Sequence, residues 1–265
     1  MISGSLDRTI KIWNPQDKFN CTHTLYGHTN GISCLLLLQD GILISCSYNS
    51  IKIWNPEDNF NCTHTLSGHQ DSINTLTLLQ DGRFVSGSSD RKIKIWNPQD
   101  NFTCSRTLTG HEGSINTLTL LQDGSLVSGS GDRTIKIWNP KDYFNCSHTL
   151  TGHTREIYSL TLLQDGRLVS GSLDTNIKIW NHQDNFNCTH TLSGHTNGIP
   201  SLTLLQDGRL VSGSWDTNIK IWNHQDNFNC TPTLSGHEGS INTLILLRDG
   251  RLVSGSGDRT ISIFD

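Results

Sequence analysis

The sequence has no apolar run that approaches the ~20 residues a helix needs to cross a bilayer. Its first residues, MISGSLDRT, lack the charged and apolar regions of a signal peptide. The formal net charge is −4 with both signs mixed along the chain, so the basic surface that nucleic acid requires is missing. We therefore expect a cytoplasmic protein that binds neither membrane nor nucleic acid.

A helical apolar period is also missing, because no window of about 11 residues shows one. The segment from Gly110 to Leu150 instead alternates apolar with polar residues between short turn signals such as Asp123-Gly124. Helices are therefore expected to be incidental. Within this segment we predict four short antiparallel strands: Ile115–Leu121, Ser125–Ser130, Ile135–Trp138 and Cys146–Leu150.

The segment recurs along the whole chain. A Gly-His pair places histidines at positions 28, 69, 111, 153, 195 and 237, and tryptophan stands at 13, 54, 96, 138, 180 and 222, with Phe264 in the seventh place. A fixed period of about 40 residues indicates an array built from one supersecondary unit.

The Gly-His pair followed by SGSxDxTIKIWN at this spacing resembles the WD-repeat β-propeller family, in which each repeat supplies one four-stranded blade. Asn replaces the usual Asp after Trp in this chain, except at Phe264-Asp265. The resemblance implies an all-β, single-domain propeller over residues 1–265. Its predicted parts are a partial blade at 1–27, repeats that start near 28, 69, 111, 153 and 195, and a last partial repeat at 237–265.

The two ends of the chain leave the number of blades open. Residues 2–13 match only the second and third strands of a blade (strands b and c), Cys21–Leu25 matches the outer strand d, and the repeat at Ile241–Phe264 stops after strand c. If Cys21–Leu25 completed the last blade, the ring would have six blades. We favour seven blades with an incomplete first and last blade, because detaching residues 2–13 would expose Ile10, Ile12 and Trp13. The first, inner strand (strand a) is expected to open at Ile32, Ile73, Ile115, Ile157, Ile199 and Ile241.

The eight cysteines are expected to be reduced. Six of them repeat at one position, so each lies on the outer strand of a different blade, beyond the roughly 7 Å Cα separation that a disulfide allows. Cys34 and Cys46, on adjacent strands of one repeat, are the only plausible pair.

Serine, histidine and aspartate recur together and could be read as a nucleophilic triad. The family resemblance implies instead a structural hydrogen-bond network of His, Ser on strand b, Asp in the b–c turn and Trp on strand c. A catalytic site has no reason to recur in every blade, so we expect no catalytic residue. The four sets are His69, Ser86, Asp90, Trp96; His111, Ser128, Asp132, Trp138; His153, Ser170, Asp174, Trp180; and His195, Ser212, Asp216, Trp222.

Other histidines repeat on the outer surface without convergent cysteine or aspartate partners, so we expect neither a metal nor a cofactor. They are His23, His64, His148, His190, His182 and His224.

Departures from the repeat are where a specific function can reside. In this family the second residue of strand a and the residue before the b–c turn aspartate face the top surface, and the unusual choices there fall in two neighbouring repeats. We hypothesise a partner-binding site with apolar anchors and a polar rim; the alternative is that Leu173 and Trp215 fold over neighbouring loops or have drifted. Its residues are Tyr158, Leu173, Pro200, Trp215, Arg155 and Glu156.

The expected function is a non-enzymatic scaffold that binds a protein or peptide partner. Two alternatives remain: an enzyme or small-ligand binder that uses the central channel, and a repeat segment of a larger multidomain protein with its activity elsewhere. A monomer is expected, with swapped or ring-opened oligomers as the alternative, because near-identical repeats can pair with the wrong copy.

Overall fold

The computed structural model describes residues 1–14 and 16–264, apart from the side chains of residues 231 and 232. Over these ranges the chain is an all-β seven-blade propeller with antiparallel blades, five of four strands and two of three. Helical structure in the same ranges is limited to single 3-10 turns after strand c: Pro56–Asp58, Pro98–Asp100, Pro140–Asp142, His182–Asp184 and His224–Asp226.

The chain divides into two compact units, Met1–Leu118 and Thr119–Asp265. The first unit begins with a three-stranded blade: β1 (Ile2–Gly4), β2 (Ile10–Asn14) and β3 (Asn20–Leu25). The second blade contains β4 (Cys34–Leu37), β5 (Leu43–Ser47), β6 (Ser50–Asn55) and β7 (Asn61–Leu66). The third contains β8 (Ile73–Leu78), β9 (Phe84–Ser88), β10 (Ile93–Asn97) and β11 (Thr103–Leu108).

The boundary between the units lies within the fourth blade: β12 (Ile115–Leu120), β13 (Leu126–Ser130), β14 (Ile135–Asn139) and β15 (Asn145–Leu150). The fifth blade contains β16 (Ile157–Leu162), β17 (Leu168–Ser172), β18 (Ile177–Asn181) and β19 (Asn187–Leu192). The sixth contains β20 (Ser201–Leu204), β21 (Leu210–Gly213), β22 (Ile219–Asn223) and β23 (Asn229–Leu234). The three-stranded seventh contains β24 (Ile241–Leu246), β25 (Leu252–Ser256) and β26 (Ile261–Phe264).

The core lies between successive blades. In the second to sixth blades strand b is buried along its whole length, as in β9, because it is a middle strand with a neighbouring blade against its face. One apolar cluster joins Ile44 and Ile53 of the second blade to Phe84, Trp96 and Phe102 of the third. Similar clusters join the first blade to the second, the fourth to the fifth, the fifth to the sixth and the sixth to the seventh.

In several blades a glycine of strand b lies close to the isoleucine that precedes or opens strand a of the next blade. A Cβ placed on Gly87 would lie 2.5 Å from Cγ2 of Ile115, and one on Gly213 would lie 2.5 Å from Cγ2 of Ile241. Separations this short exclude any side chain. The Ile241 N–H also donates to the Ser214 carbonyl 3.0 Å away, so a backbone hydrogen bond fixes the same contact.

The seven-blade prediction is confirmed and the six-blade alternative is wrong. β3 pairs with β2 in the first blade, so the strand predicted at Cys21–Leu25 does not complete the last one. Two inner strands start later than predicted, β4 at Cys34 and β20 at Ser201. Pro200 explains the second case because proline has no N–H to donate to the ladder.

The seventh blade leaves a groove beside the sixth. The groove has a volume of about 550 Å³ and is lined by Leu205, Ile221, Leu234 and Phe264, among others. In the sixth blade, Phe228 precedes strand d and is buried against the fifth blade. β26 is the last strand that the structure describes, and the groove lies beside Phe264.

A fourth strand supplied to the seventh blade should therefore stabilise the protein. We expect that a copy of residues 182–192 appended after residue 265 will pair with β26 and place its phenylalanine in the groove. Burial of a phenylalanine stabilises by about 2 kcal/mol, and each kcal/mol shifts Tm by about 2–4 °C at this size. Differential scanning calorimetry should show a rise of about 5 °C.

The matched control carries the same appended copy with its phenylalanine changed to serine. A much smaller rise is expected for it, because the groove would remain unfilled. An equal rise with both segments would show that the groove contributes nothing.

Candidate functional site

In the third, fifth and sixth blades the predicted Ser-His-Asp-Trp sets are assembled as hydrogen-bonded chains. In the third blade, His69 Nδ1 lies 2.9 Å from Asp90 Oδ2, and His69 Nε2 lies 2.7 Å from Ser86 Oγ. The Trp96 Nε1–H donates to the same serine oxygen at 2.8 Å. The chain joins the loop before strand a to strand b, the b–c turn and strand c.

The same geometry recurs in the fifth and sixth blades. His153 is 2.8 Å from Asp174 and 2.7 Å from Ser170, to which Trp180 donates. The corresponding contacts of the sixth blade are His195–Asp216 at 2.7 Å, His195–Ser212 at 2.8 Å and Trp222–Ser212 at 2.8 Å. In the fourth blade, Trp138 donates to Ser128 at 2.9 Å, and His111 is buried.

Proton placement in this network suits a neutral histidine. The Nδ1–H donates to the carboxylate, the Nε2 accepts the serine hydroxyl, and the serine oxygen accepts the indole N–H. Burial lowers the pKa of His69 despite the opposing effect of Asp90. Burial alone would raise the pKa of Asp174, but the hydrogen bond from His153 and the other contacts of that carboxylate lower it to about 2.

The arrangement resembles a catalytic triad, but its serine is unsuited to nucleophilic attack. Ser86, Ser170 and Ser212 are fully buried, and each hydroxyl oxygen already has a histidine and a tryptophan partner. A nucleophile needs room for a substrate carbonyl beside its oxygen. The geometry therefore supports a role in holding the blade together.

Two of the blades that contain the network histidine have an incomplete network. Phe264 replaces tryptophan in the seventh blade, where His237 still contacts Asp258 and Ser254 at 2.8 and 2.7 Å. In the second blade, His28 contacts Ser45 at 2.6 Å, but the aspartate is missing because Tyr48 and Asn49 alone join β5 to β6.

The incomplete network of the second blade leaves a buried histidine nitrogen unsatisfied. His28 is buried, and its Nδ1 has no hydrogen-bond partner among the described residues. Burial, with a smaller contribution from Lys52, lowers the pKa of His28 to about 4. This histidine was not among the residues singled out from the sequence, although the loss of the aspartate was visible there.

The outer histidines are also placed by contacts between blades. His64 Nε2 on strand d lies 2.9 Å from Asn101 Oδ1 in the next blade, and its ring lies 5.0 Å from that of Phe102. The same pairings are His23 with Asn59 and Phe60, His148 with Asn185 and Phe186, and His190 with Asn227 and Phe228. Sequence reasoning missed this role because each partner is about 36 residues away.

The top-face residues of the fifth and sixth blades form one cluster. The rings of Tyr158 and Trp215 pack edge to face with centroids 5.1 Å apart. A Cβ on Gly198 would lie 2.8 Å from the Trp215 ring and 3.0 Å from Leu173, so both side chains cover this glycine. We call Tyr158, Leu173, Pro200 and Trp215 the apolar patch; each is half-buried. The side chains thus partly fold over a loop and over each other.

A polar rim lies beside the apolar patch. The exposed Arg155 is 4.0 Å from Glu156, and burial together with the Glu156 charge raises the pKa of Tyr158. The equivalent turn positions of the first two blades carry Leu6 and Tyr48, which are more exposed, at 89% and 46%. Sequence reasoning placed these two on the top face but did not select them.

Other site types find no support in the described residues. No group of three or more His, Cys, Asp or Glu side chains that could hold a metal ion occurs at positions 1–14 or 16–264. None of the helices in the described part of the chain is long and apolar enough to span a membrane.

A comparison with family models matches the chain to the family described as "WD domain, G-beta repeat". The matched segments are residues 1–14, 19–55, 60–97, 102–139, 144–181, 186–223 and 228–265. A curated relative, an "uncharacterized WD repeat-containing protein" of Schizosaccharomyces pombe, is 50% identical over 46 residues. That match covers 17% of this chain and 12% of the relative's length.

Removing the network serine should lower the free energy of unfolding more in a blade whose network is complete. We expect Ser86→Ala to destabilise by about 3 kcal/mol, because it leaves buried His69 and Trp96 groups unpaired. Ser254→Ala should cost about 1 kcal/mol, because only His237 loses a partner. Urea denaturation monitored by tryptophan fluorescence compares the two. Equal losses would contradict the hydrogen-bond network as the source of the difference.

His28 should make stability depend on pH. The pKa of this histidine is lowered from about 6.5 to about 4, so the unfolded chain binds the proton first as the pH falls. The stability that neutral His28 supplies is complete above pH 6.5 and is lost between pH 6.5 and 4. Relative to His28→Gln, the parent should lose about 3 kcal/mol across this window.

Urea titrations of both proteins from pH 7.5 to 4 measure the difference. Values above pH 7 give the pH-independent cost of the substitution, which serves as the baseline. A difference that stays constant with pH would contradict the lowered pKa.

Proposed function

Because the chain belongs to the WD40-repeat family, we propose that it is a non-enzymatic scaffold that binds a peptide or protein partner over the apolar patch. The observation that carries the proposal is the edge-to-face pair of Tyr158 and Trp215. The residues equivalent to Tyr158 are Ser, Asn or Pro, and those equivalent to Trp215 are Leu, Tyr, Ser or Gly, so no other two neighbouring repeats carry an aromatic residue at both positions.

The geometry of the patch suits recognition at low entropic cost. Tyr158 restrains the Trp215 ring, and Trp215 lies against the loop glycine Gly198, so little side-chain freedom remains to be lost on binding. Aromatic residues at the centre of an interface with a polar rim are the usual sites of large binding contributions. We expect an apolar side chain of the partner to contact Trp215 and Leu173, with Arg155 and Glu156 at the rim.

Chemistry in the central channel receives less support. The residues that follow the repeated isoleucine at the start of each inner strand are Ser33, Asn74, Asn116, Tyr158, Pro200 and Asn242. None of them is an acid, a histidine or a cysteine. Asn74 is used within the fold, because its side-chain amide donates to Ser89 Oγ and to the Ile115 carbonyl, both at 3.0 Å.

A peptide-display selection on the purified chain, followed by calorimetry with the selected peptides, tests the proposal. We expect Tyr158→Ala with Trp215→Ala to weaken binding at least tenfold, because loss of a central aromatic costs about 2 kcal/mol or more. Circular dichroism verifies that the variants fold.

Two matched variants distinguish the apolar patch from the rest of the top face. Asn242→Ala changes an exposed residue at the position equivalent to Tyr158 and should leave binding unchanged. Leu6→Ser with Tyr48→Ser removes apolar surface from the same face of the first two blades. If only the Leu6→Ser with Tyr48→Ser variant loses binding, the site lies on the first two blades. If none of the three variants changes binding, the binding site is not on the top face.

The proposal takes the cytoplasm as the site of action and a monomer as the binding unit. Exposed Ile245, Ile261 and Ile263 on the seventh blade are the features that favour the oligomeric alternative. Light scattering of the parent and of Ile261→Ser with Ile263→Ser measures the state in solution, and imaging of the tagged chain in cells measures its location. If the parent assembles as its concentration rises and the double variant does not, the binding unit is an oligomer and not a monomer.

A further inference from the structure

Two departures from the repeat in the second blade face each other. Position 46 is cysteine, whereas the equivalent residues are Gly4, Gly87, Gly129, Gly171, Gly213 and Gly255. Position 34 is also cysteine, whereas the equivalent residues are Thr75, Thr117, Ser159, Ser201 and Thr243. Cys34 and Cys46 are partners in the register of β4 and β5. Both members of one cross-strand pair are therefore cysteines, and this occurs in one blade only.

The complete blades show how closely side chains at these two positions approach. A Cβ on Gly87 would lie 2.8 Å from Cγ2 of Thr75, so the strand a side chain points directly at the strand b residue. In the second blade the corresponding pair is Cys34 and Cys46, which are directly opposed in the register of the two strands. Burial and the neighbouring Cys34 thiol raise the pKa of Cys46. Cys46 is fully buried and packs in the apolar cluster that contains Ile73.

The other six cysteines have a different environment. All are exposed on strand d, and the thiol of Cys62, for example, contacts the His64 carbonyl at 3.3 Å in its own strand. All eight are free thiols in this structure. Cys34 and Cys46 therefore differ from the rest in having each other as partners.

We propose that Cys34 and Cys46 are a reversible redox site that hydrogen peroxide converts to a disulfide within the second blade. The half-buried Cys34 thiolate attacks the peroxide oxygen, breaks the O–O bond and becomes a sulfenic acid as water leaves. Cys46 then attacks the Cys34 sulfur, forms the S–S bond and releases a second water. Two thiols are oxidised and one molecule of hydrogen peroxide is reduced.

Burial assigns these two roles. Cys34 is partly accessible, whereas Cys46 is fully buried and burial raises its pKa, so Cys46 is a poor first nucleophile. Its contact with Cys34 suits it to resolve the sulfenic acid. Directly opposed residues of antiparallel strands have Cβ atoms about 4.5–5.5 Å apart, against about 3.8 Å in disulfides. The strands must therefore draw together, which favours easy reduction by thiols.

Oxidation would reach the top face of the propeller. Ser33 immediately precedes Cys34, and its N–H donates to the Cys46 carbonyl at 2.9 Å. The exposed Tyr48 follows Cys46 by two positions. Movement of β4 toward β5 therefore changes the surroundings of both top-face residues.

Peptide mapping of the full-length folded chain after hydrogen peroxide treatment and alkylation tests the proposal. Trypsin leaves both cysteines in one peptide, residues 19–52, so a second protease must cleave before Asp40. We expect two peptides joined by a disulfide, which dithiothreitol separates. Oxidation confined to strand d cysteines, with Cys34 and Cys46 both alkylated, would overturn the proposal.

Three variants assign the bond. Cys34→Thr and Cys46→Gly each install the residue of the other repeats and should abolish the linked pair. Cys21→Ser is the matched control, because Cys21 shares its peptide with Cys34, and the link should persist there. A link that survives Cys34→Thr, or that disappears in Cys21→Ser, would assign the disulfide to Cys21 and reject this site.

Discussion

The close approach of a strand b glycine to the isoleucine of the next blade is the constraint on which the array depends. Gly87, Gly171 and Gly213 each have an isoleucine of the following blade within 2.9 Å of the place a Cβ would take. A side chain there would push the blades apart and open the apolar cluster between them. The short SGS segment therefore sets the blade spacing, and the near-identity of its copies follows from that requirement.

The second blade shows what happens when this constraint is relaxed. Cys46 occupies the glycine position, and the Ile73 N–H donates to the carbonyl of Tyr48, whereas the Ile241 N–H donates to the carbonyl of Ser214, which immediately follows β21. The hairpin is one residue shorter, and the aspartate that would satisfy His28 is missing. The departures of this one blade thus leave a facing cysteine pair, an unsatisfied buried nitrogen and an exposed Tyr48.

Sequence periodicity predicted most of the fold because each strand, turn and network position is repeated with a polar or apolar residue of fixed type. The seven blades and the partners of His69 follow from that repetition. The late start of β20 was predictable from Pro200, since proline cannot donate to the ladder. The His64–Asn101 contact was not, because it joins two polar residues of different repeats and leaves no local pattern.

The site was predictable only in part. Sequence position placed Tyr158 and Trp215 on one face, but their edge-to-face packing and half-burial depend on the course of the loop at Gly198. This packing restrains the two aromatic side chains and keeps them from protruding freely into solvent. Sequence alone does not specify it. The repeated residues maintain the fold, and we infer that the function lies in the residues that differ from the repeat.

Hydrogen exchange followed by mass spectrometry, with and without a bound partner, tests this idea most directly. The account predicts that the partner slows exchange in residues 155–158, 173–175 and 197–200 and around Trp215, where the copies differ. Slower exchange confined to the outer strands, such as Asn61–Leu66 and Asn187–Leu192, would contradict it, because those segments are shared by nearly every blade.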